Sequence, residues 1–126
     1  MNFVAIAAGG AIGALARYLV SLALNLTVDS PFPLGTLAVN VTGSLAIGVL
    51  FALFDRMDSA QATRLLLITG FLGAYTTFSS YSLETVRLLS QGRVALALAN
   101  FALNNALCLG ATALGLAVVR LASGRA

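Results

Sequence analysis

Histidine and lysine are absent from this sequence of 126 residues, cysteine occurs once, and charged side chains make up only 9% of it. Without histidine and with one thiol there is no imidazole base, no Cys-His nucleophile pair, no metal site of several Cys or His ligands, and no disulfide within one chain. The net charge of +3 comes from seven arginines spread along the chain rather than gathered into a patch, which argues against a nucleic-acid partner. Soluble domains carry about 25% charged residues. This chain has too few charges to cover a water-facing surface.

What is present is apolar sequence, 60% of the residues. A hydrocarbon core about 30 Å thick requires about 20 apolar residues per helical crossing. The apolar runs predict spans over about 3–24, 34–54, 65–89 and 94–121, within a single membrane domain covering 1–126. The first is bounded by the polar stretch Asn25 to Pro33, which holds Asp29 and both prolines. The second ends at the loop Asp55 to Arg64, which contains Arg56 and Asp58. Near the N-terminus, Ala14-Leu15-Ala16 looks like a signal cleavage site, but no basic segment precedes it and apolar sequence continues past it, so this stretch reads as the first span.

Four crossings place Arg56, Arg64, Arg120 and Arg125 on one side. Arg87 and Arg93 lie on the other, with Arg17 leaning toward them. This bias is weak under the positive-inside rule, weak enough for insertion in both orientations, although loops short of charge would give the same count. The two halves of the chain show no internal repeat. An inverted second unit, of the kind small transporters build a pathway from, would have to come from a second chain.

Polar groups inside the spans are the functional candidates, because lipid does not solvate them. Gly9, Gly13, Arg17 and Ser21 fall four apart, as do Thr36, Asn40, Ser44 and Gly48, and Asn100, Asn104, Cys108 and Thr112. Residues four apart share a helix face. Such stripes serve close helix packing and interhelical amide bonds, or they line a hydrated track. Arg17 requires a partner or a water-filled vestibule, and Glu84 an arginine, a vestibule or a proton-carrying role. The run Tyr75-Thr76-Thr77-Phe78-Ser79-Ser80-Tyr81-Ser82 is poor helix in lipid, because hydroxyls compete for backbone partners. It predicts a broken third helix, tolerated only where the backbone is buried or lines a cavity. Phe78 and Tyr81, three apart, share a face there, and the positive edges of aromatic rings suit an anion path as well as simple ring packing.

Three segments, Gly10-x-x-Gly13-x-x-x-Arg17, Gly35-Thr36-Leu37-Ala38-Val39-Asn40-x-x-Gly43 and Gly70-Phe71-Leu72-Gly73-x-x-Thr76-Thr77-Phe78-Ser79-Ser80-Tyr81-Ser82-x-Glu84, resemble the Fluc (CrcB) family of small fluoride channels. The resemblance covers essentially the whole chain and is most specific in the third segment. It implies an all-α integral membrane fold with four transmembrane helices and a break in the third. The assembly it implies is an antiparallel homodimer of dual topology in the bacterial inner membrane. The activity it implies is passive, fluoride-selective export that lowers fluoride toxicity, with no enzymatic chemistry.

The resemblance also implies an ion pathway through Asn40, Phe78, Tyr81, Thr36, Ser79, Ser80, Glu84, Asn104 and Arg17. A structural sodium ion would sit at the dimer centre on the backbone carbonyls of Gly73 and Thr76. Two positions depart from the family pattern: Tyr81 stands for a second Phe, and Ser80 for a Thr. On the fourth helix Asn104 and Cys108 stand where relatives carry other small or polar groups. Fluoride is small and strongly hydrated, so the Asn40 amide, hydroxyls and ring edges are the donors that would replace its water. A proton-coupled drug exporter of this size would need a carboxylate in the first span, which holds only Arg17. A subunit with a purely structural role would not need the break.

Overall fold

The structure, a computed structural model, describes residues 2–57 and 61–124. Asp58 and Arg125 lie outside the described residues. Helix α1 is Asn2–Thr27, α2 is Leu34–Phe54 and α6 is Val94–Ala122, each long and apolar enough to cross a membrane. Helix α2 keeps the bounds of its apolar run, whereas α1 and α6 run past theirs. At 1.5 Å per residue, α6 with its 29 residues is about 43 Å long, which exceeds the hydrocarbon thickness and is accommodated by tilt or by ends that reach the headgroups.

The third crossing is assembled from pieces. Helix α3, Gln61–Arg64, begins inside what the sequence suggests is a loop, and continues as a π-helical stretch over Leu65–Leu72 and as α4, Gly73–Tyr75. Thr76 and Thr77 then leave helical geometry, and α5, Phe78–Ser90, resumes it. Neither half would span a bilayer alone. The predicted break is therefore present and is only two residues long. The π-helical widening before it has no counterpart in the sequence reading.

Two seams hold the chain together. Helix α2 lies along α6, and α1 lies along the π-helical stretch. Lipid offers no hydrophobic drive for helix association, so close backbone approach has to supply the dispersion energy. A Cβ on Gly48 would meet the Thr112 carbonyl, and one on Gly115 would come within 2.5 Å of the Leu45 carbonyl. The Thr112 hydroxyl also donates to the Ser44 carbonyl at 3.1 Å. On the other seam, Gly9 and Gly13 leave no room for a side chain against the carbonyls of Leu66 and Phe71. The stripes on α1, α2 and α6 thus serve packing along part of their length. Helix α5 closes on Gly92 at φ 72°, where the Arg93 and Gly92 amides return to the carbonyls of Leu88 and Leu89. That double closure favours glycine at the left-handed position.

The outside of the chain is apolar, with Phe3, Ile12, Leu15 and Leu109 all exposed. Inside, Val39 and Asn100 are the largest fully buried side chains. A carboxamide at the centre of a membrane protein must have its bonds made locally.

Candidate functional site

The break is where the backbone needs help. Thr76 (φ −85°, ψ 159°) and Thr77 (φ −151°, ψ 117°) are extended. In an unbroken helix the Thr77 amide would donate to the carbonyl of Gly73. Here it donates instead to Asn40 Oδ1 at 2.8 Å, and Asn40 Nδ2 donates to the Thr77 carbonyl at 3.1 Å. One side-chain amide therefore satisfies both backbone groups of the extended residue. The Thr77 hydroxyl caps α5 by accepting from the Ser80 amide at 3.1 Å, and it donates to Ser80 Oγ at 3.0 Å. A threonine N-cap of this type is worth about 1 kcal/mol.

Further amides extend from this clamp. The second Asn40 Nδ2 hydrogen goes to Asn104 Oδ1 at 3.1 Å. Asn104 Nδ2 donates to the Asn100 carbonyl at 3.1 Å and to Asn100 Oδ1 at 2.9 Å. Asn100 Nδ2 donates to the Thr85 hydroxyl at 2.9 Å, and that hydroxyl donates to the Tyr81 carbonyl at 2.8 Å. The polar stripes of α2 and α6 thus meet in one network that braces the third crossing. The sequence offers the Asn40 amide as a donor to an anion, but both its hydrogens are engaged within the chain. Its part in this arrangement is to hold the break.

Two cavities flank Thr77, which lines both. The first, of about 380 Å³, is bordered by Asn40, Gly73, Thr76, Phe78, Tyr81 and Asn104, with Asn105 and Cys108 at its edge. The Phe78 and Tyr81 rings meet edge to face, centroids 5.4 Å apart at 63°. Tyr81 is buried, whereas Phe78 is 78% exposed and projects from the chain. The Tyr81 hydroxyl accepts from Asn105 Nδ2 at 3.1 Å.

The second cavity, of about 500 Å³, is bordered by Arg17, Ser21, Asn25, Thr36, Ser80 and Glu84. The Thr36 hydroxyl donates to Glu84 Oε1 at 2.7 Å, while Oε2 is buried with no partner among the described residues. A carboxylate oxygen left in this state requires water or a cation, and a polar cavity of this size has room for water.

The structure thus gathers Arg17, Thr36, Ser80 and Glu84 around one cavity, and Asn40, Gly73, Thr76, Phe78, Tyr81 and Asn104 around the other. Ser79 borders neither, and its hydroxyl lies 3.3 Å from that of Thr77. Sequence reasoning passed over Thr77, the residue common to both cavities. A signal was available, since a threonine directly before a resumed helix is a cap candidate. The pairing of Asn105 with Tyr81 and of Asn100 with Thr85 joins different helices and left no local trace.

Residues 4–116 match the family described as CrcB-like protein, Camphor Resistance (CrcB). The chain is 47% identical over 122 residues to a "Fluoride-specific ion channel FluC" of Magnetococcus marinus, an alignment covering 96% of this chain and 99% of that one. It is 44% identical over 122 residues to a protein of the same name from Coxiella burnetii, covering 95% and 98%. To one from Hydrogenobaculum it is 50% identical over 93 residues, covering 73% and 75%.

Proposed function

The chain belongs to the CrcB family, and we propose that it is a multi-pass membrane channel that passes fluoride selectively and passively out of the cell. The observation that carries this reading is the pair of cavities meeting at Thr77, one charged and roomy, the other edged by two aromatic rings. Arg17 raises the local anion concentration in the charged cavity. The Ser80 hydroxyl, together with the N-terminal end of α5, offers a donor and partial positive charge beside Thr77, where the cavities meet. Beyond them the ring edges of Phe78 and Tyr81 face the anion with their positive rims. Fluoride, the stronger acceptor, gains more from these donors than chloride does.

In this reading Asn40 and Asn104 fix the walls rather than touch the ion. Glu84, anchored by Thr36, borders the vestibule and orders its water. Ser79 stands beside Thr77 at the junction.

We also infer an antiparallel homodimer in a bacterial inner membrane. The exposed ring of Phe78 supports it, since an aromatic belonging to a pathway needs a wall opposite, and the weak charge asymmetry of the loops permits both insertions. The break fits a structural sodium ion at the dimer centre. With the Thr77 amide turned to Asn40, the Gly73 carbonyl is released from its helical partner, and carbonyl oxygens suit a hard cation. The carbonyls of Gly73 and Thr76 from each copy would hold that ion, and its charge would fix the two breaks against each other.

The test is fluoride efflux from liposomes carrying the purified protein, read with a fluoride electrode beside chloride efflux. Fluoride release without chloride release, lost in Phe78→Ile, is expected. A folded protein that releases no fluoride would overturn the reading.

A further inference from the structure

We propose that the hydroxyl of Tyr81 is itself a hydrogen-bond donor to the permeating anion, and that Asn105 is the residue that positions it. The inference rests on the channel reading and turns on where each hydrogen goes. Asn105 has two amide hydrogens, and one donates to the Phe101 carbonyl at 2.7 Å. A carbonyl only accepts, so this bond fixes which end of the Asn105 amide is nitrogen. The other hydrogen donates to the Tyr81 hydroxyl oxygen at 3.1 Å.

A phenol that accepts in this way still has its own hydrogen to give. Among the described residues no acceptor takes it. The ring is buried at 6% exposure and wedged edge-on against Phe78, so the hydroxyl turns only about its own C–O bond. Tyr81 and Asn105 both border the aromatic cavity, which leaves that cavity within reach of the remaining hydrogen. The donor is therefore buried, oriented and unspent at the place where the anion has shed most of its water.

A phenol hydrogen is a stronger donor than a ring C–H. It deepens the well for a strong acceptor more than for a weak one, and a deeper well also delays exit, since conduction needs binding that is favourable but readily reversed. The hydroxyl thus trades maximal rate for affinity and selectivity, and Asn105 acts only through it.

The experiment is the dependence of fluoride current or efflux on fluoride concentration for the full-length protein in planar bilayers or liposomes, with chloride measured alongside. Tyr81→Phe is expected to raise the half-saturating fluoride concentration about tenfold, the scale of one hydrogen bond to a charged group. The maximal fluoride rate should rise and the chloride rate should stay unchanged. Asn105→Ala should shift the half-saturation in the same direction by less, and the double variant should match Tyr81→Phe alone. An unchanged half-saturation in Tyr81→Phe overturns the proposal, as does a double variant whose effects add. Should Tyr81→Phe fail to fold, Asn105→Ala decides, because its side chain is exposed and its loss leaves the ring packing in place: an unshifted half-saturation then overturns the proposal. A wild-type protein that moves no fluoride overturns the channel reading and this proposal with it, whereas normal wild-type flux with unshifted variants overturns this proposal alone.

Discussion

The two cavities on either side of Thr77 differ in nearly every physical respect. One is edged by a guanidinium, a carboxylate and hydroxyls, and has room for water; the other is smaller and lined by two aromatic rings, the aliphatic side chains of Ile47, Ile68, Leu72 and Leu109, and asparagine amides already bonded within the chain. Attraction of an anion needs net charge and tolerates water. Discrimination between anions requires that water be replaced by fixed donors. On the channel reading proposed above, the difference teaches that the two tasks fall to separate compartments that share one residue, Thr77, whose backbone is held from another helix.

The largest effect should come from removing the wall between them. Asn40→Leu leaves the Thr77 amide and carbonyl buried without partners, each at about 1–3 kcal/mol. Fluoride efflux should fall about 100-fold or more, with a lower melting temperature in detergent. Near-normal flux in this variant would show that the compartments do not depend on the clamp.

The charged compartment is tested by Arg17→Gln. Loss of electrostatic focusing should slow fluoride entry about tenfold at low ionic strength, with the deficit shrinking as salt is raised. A salt-independent deficit would mean that Arg17 is structural. Thr36→Val removes the one donor to Glu84 among the described residues while keeping side-chain volume. Fluoride flux should drop about threefold to tenfold, in keeping with one hydrogen bond to a carboxylate, with no gain of chloride flux. A gain of chloride flux would move discrimination into the vestibule and break the division.

The smallest effect is expected far from both cavities. Arg64 donates to the Phe54 carbonyl at the end of α2 and lies over the Phe54 ring, 5.5 Å from its centroid. Arg64→Ala should lower stability by about 1 kcal/mol, read as a melting shift, and leave fluoride flux alone.

Much of this was legible in the sequence. The crossings follow from apolar run lengths, and the broken third helix from a string of hydroxyl and aromatic residues that lipid does not tolerate as helix. The polar stripe of α2 followed from its spacing, and Thr36 and Asn40 on it are buried as that spacing implies. The π-helical stretch was not legible, because Leu65–Leu72 reads as ordinary apolar helix and its widening accompanies the glycine seam with α1. Nor was the engagement of Asn40, since a donor count depends on partners 37 and 64 residues away. Local pattern told which groups are polar within the membrane, whereas only tertiary placement told which have hydrogens to spare.

The clamp on Thr77 has a consequence for what evolution could write at position 40. Its side chain must present an acceptor to an amide and a donor to a carbonyl of the same residue, as a neighbouring peptide group would. Aspartate lacks the donor, serine the reach, and glutamine carries the same group one methylene too far. Of the twenty letters available, the geometry accepts one, and position 40 is a place where the protein spells a piece of backbone with a side chain.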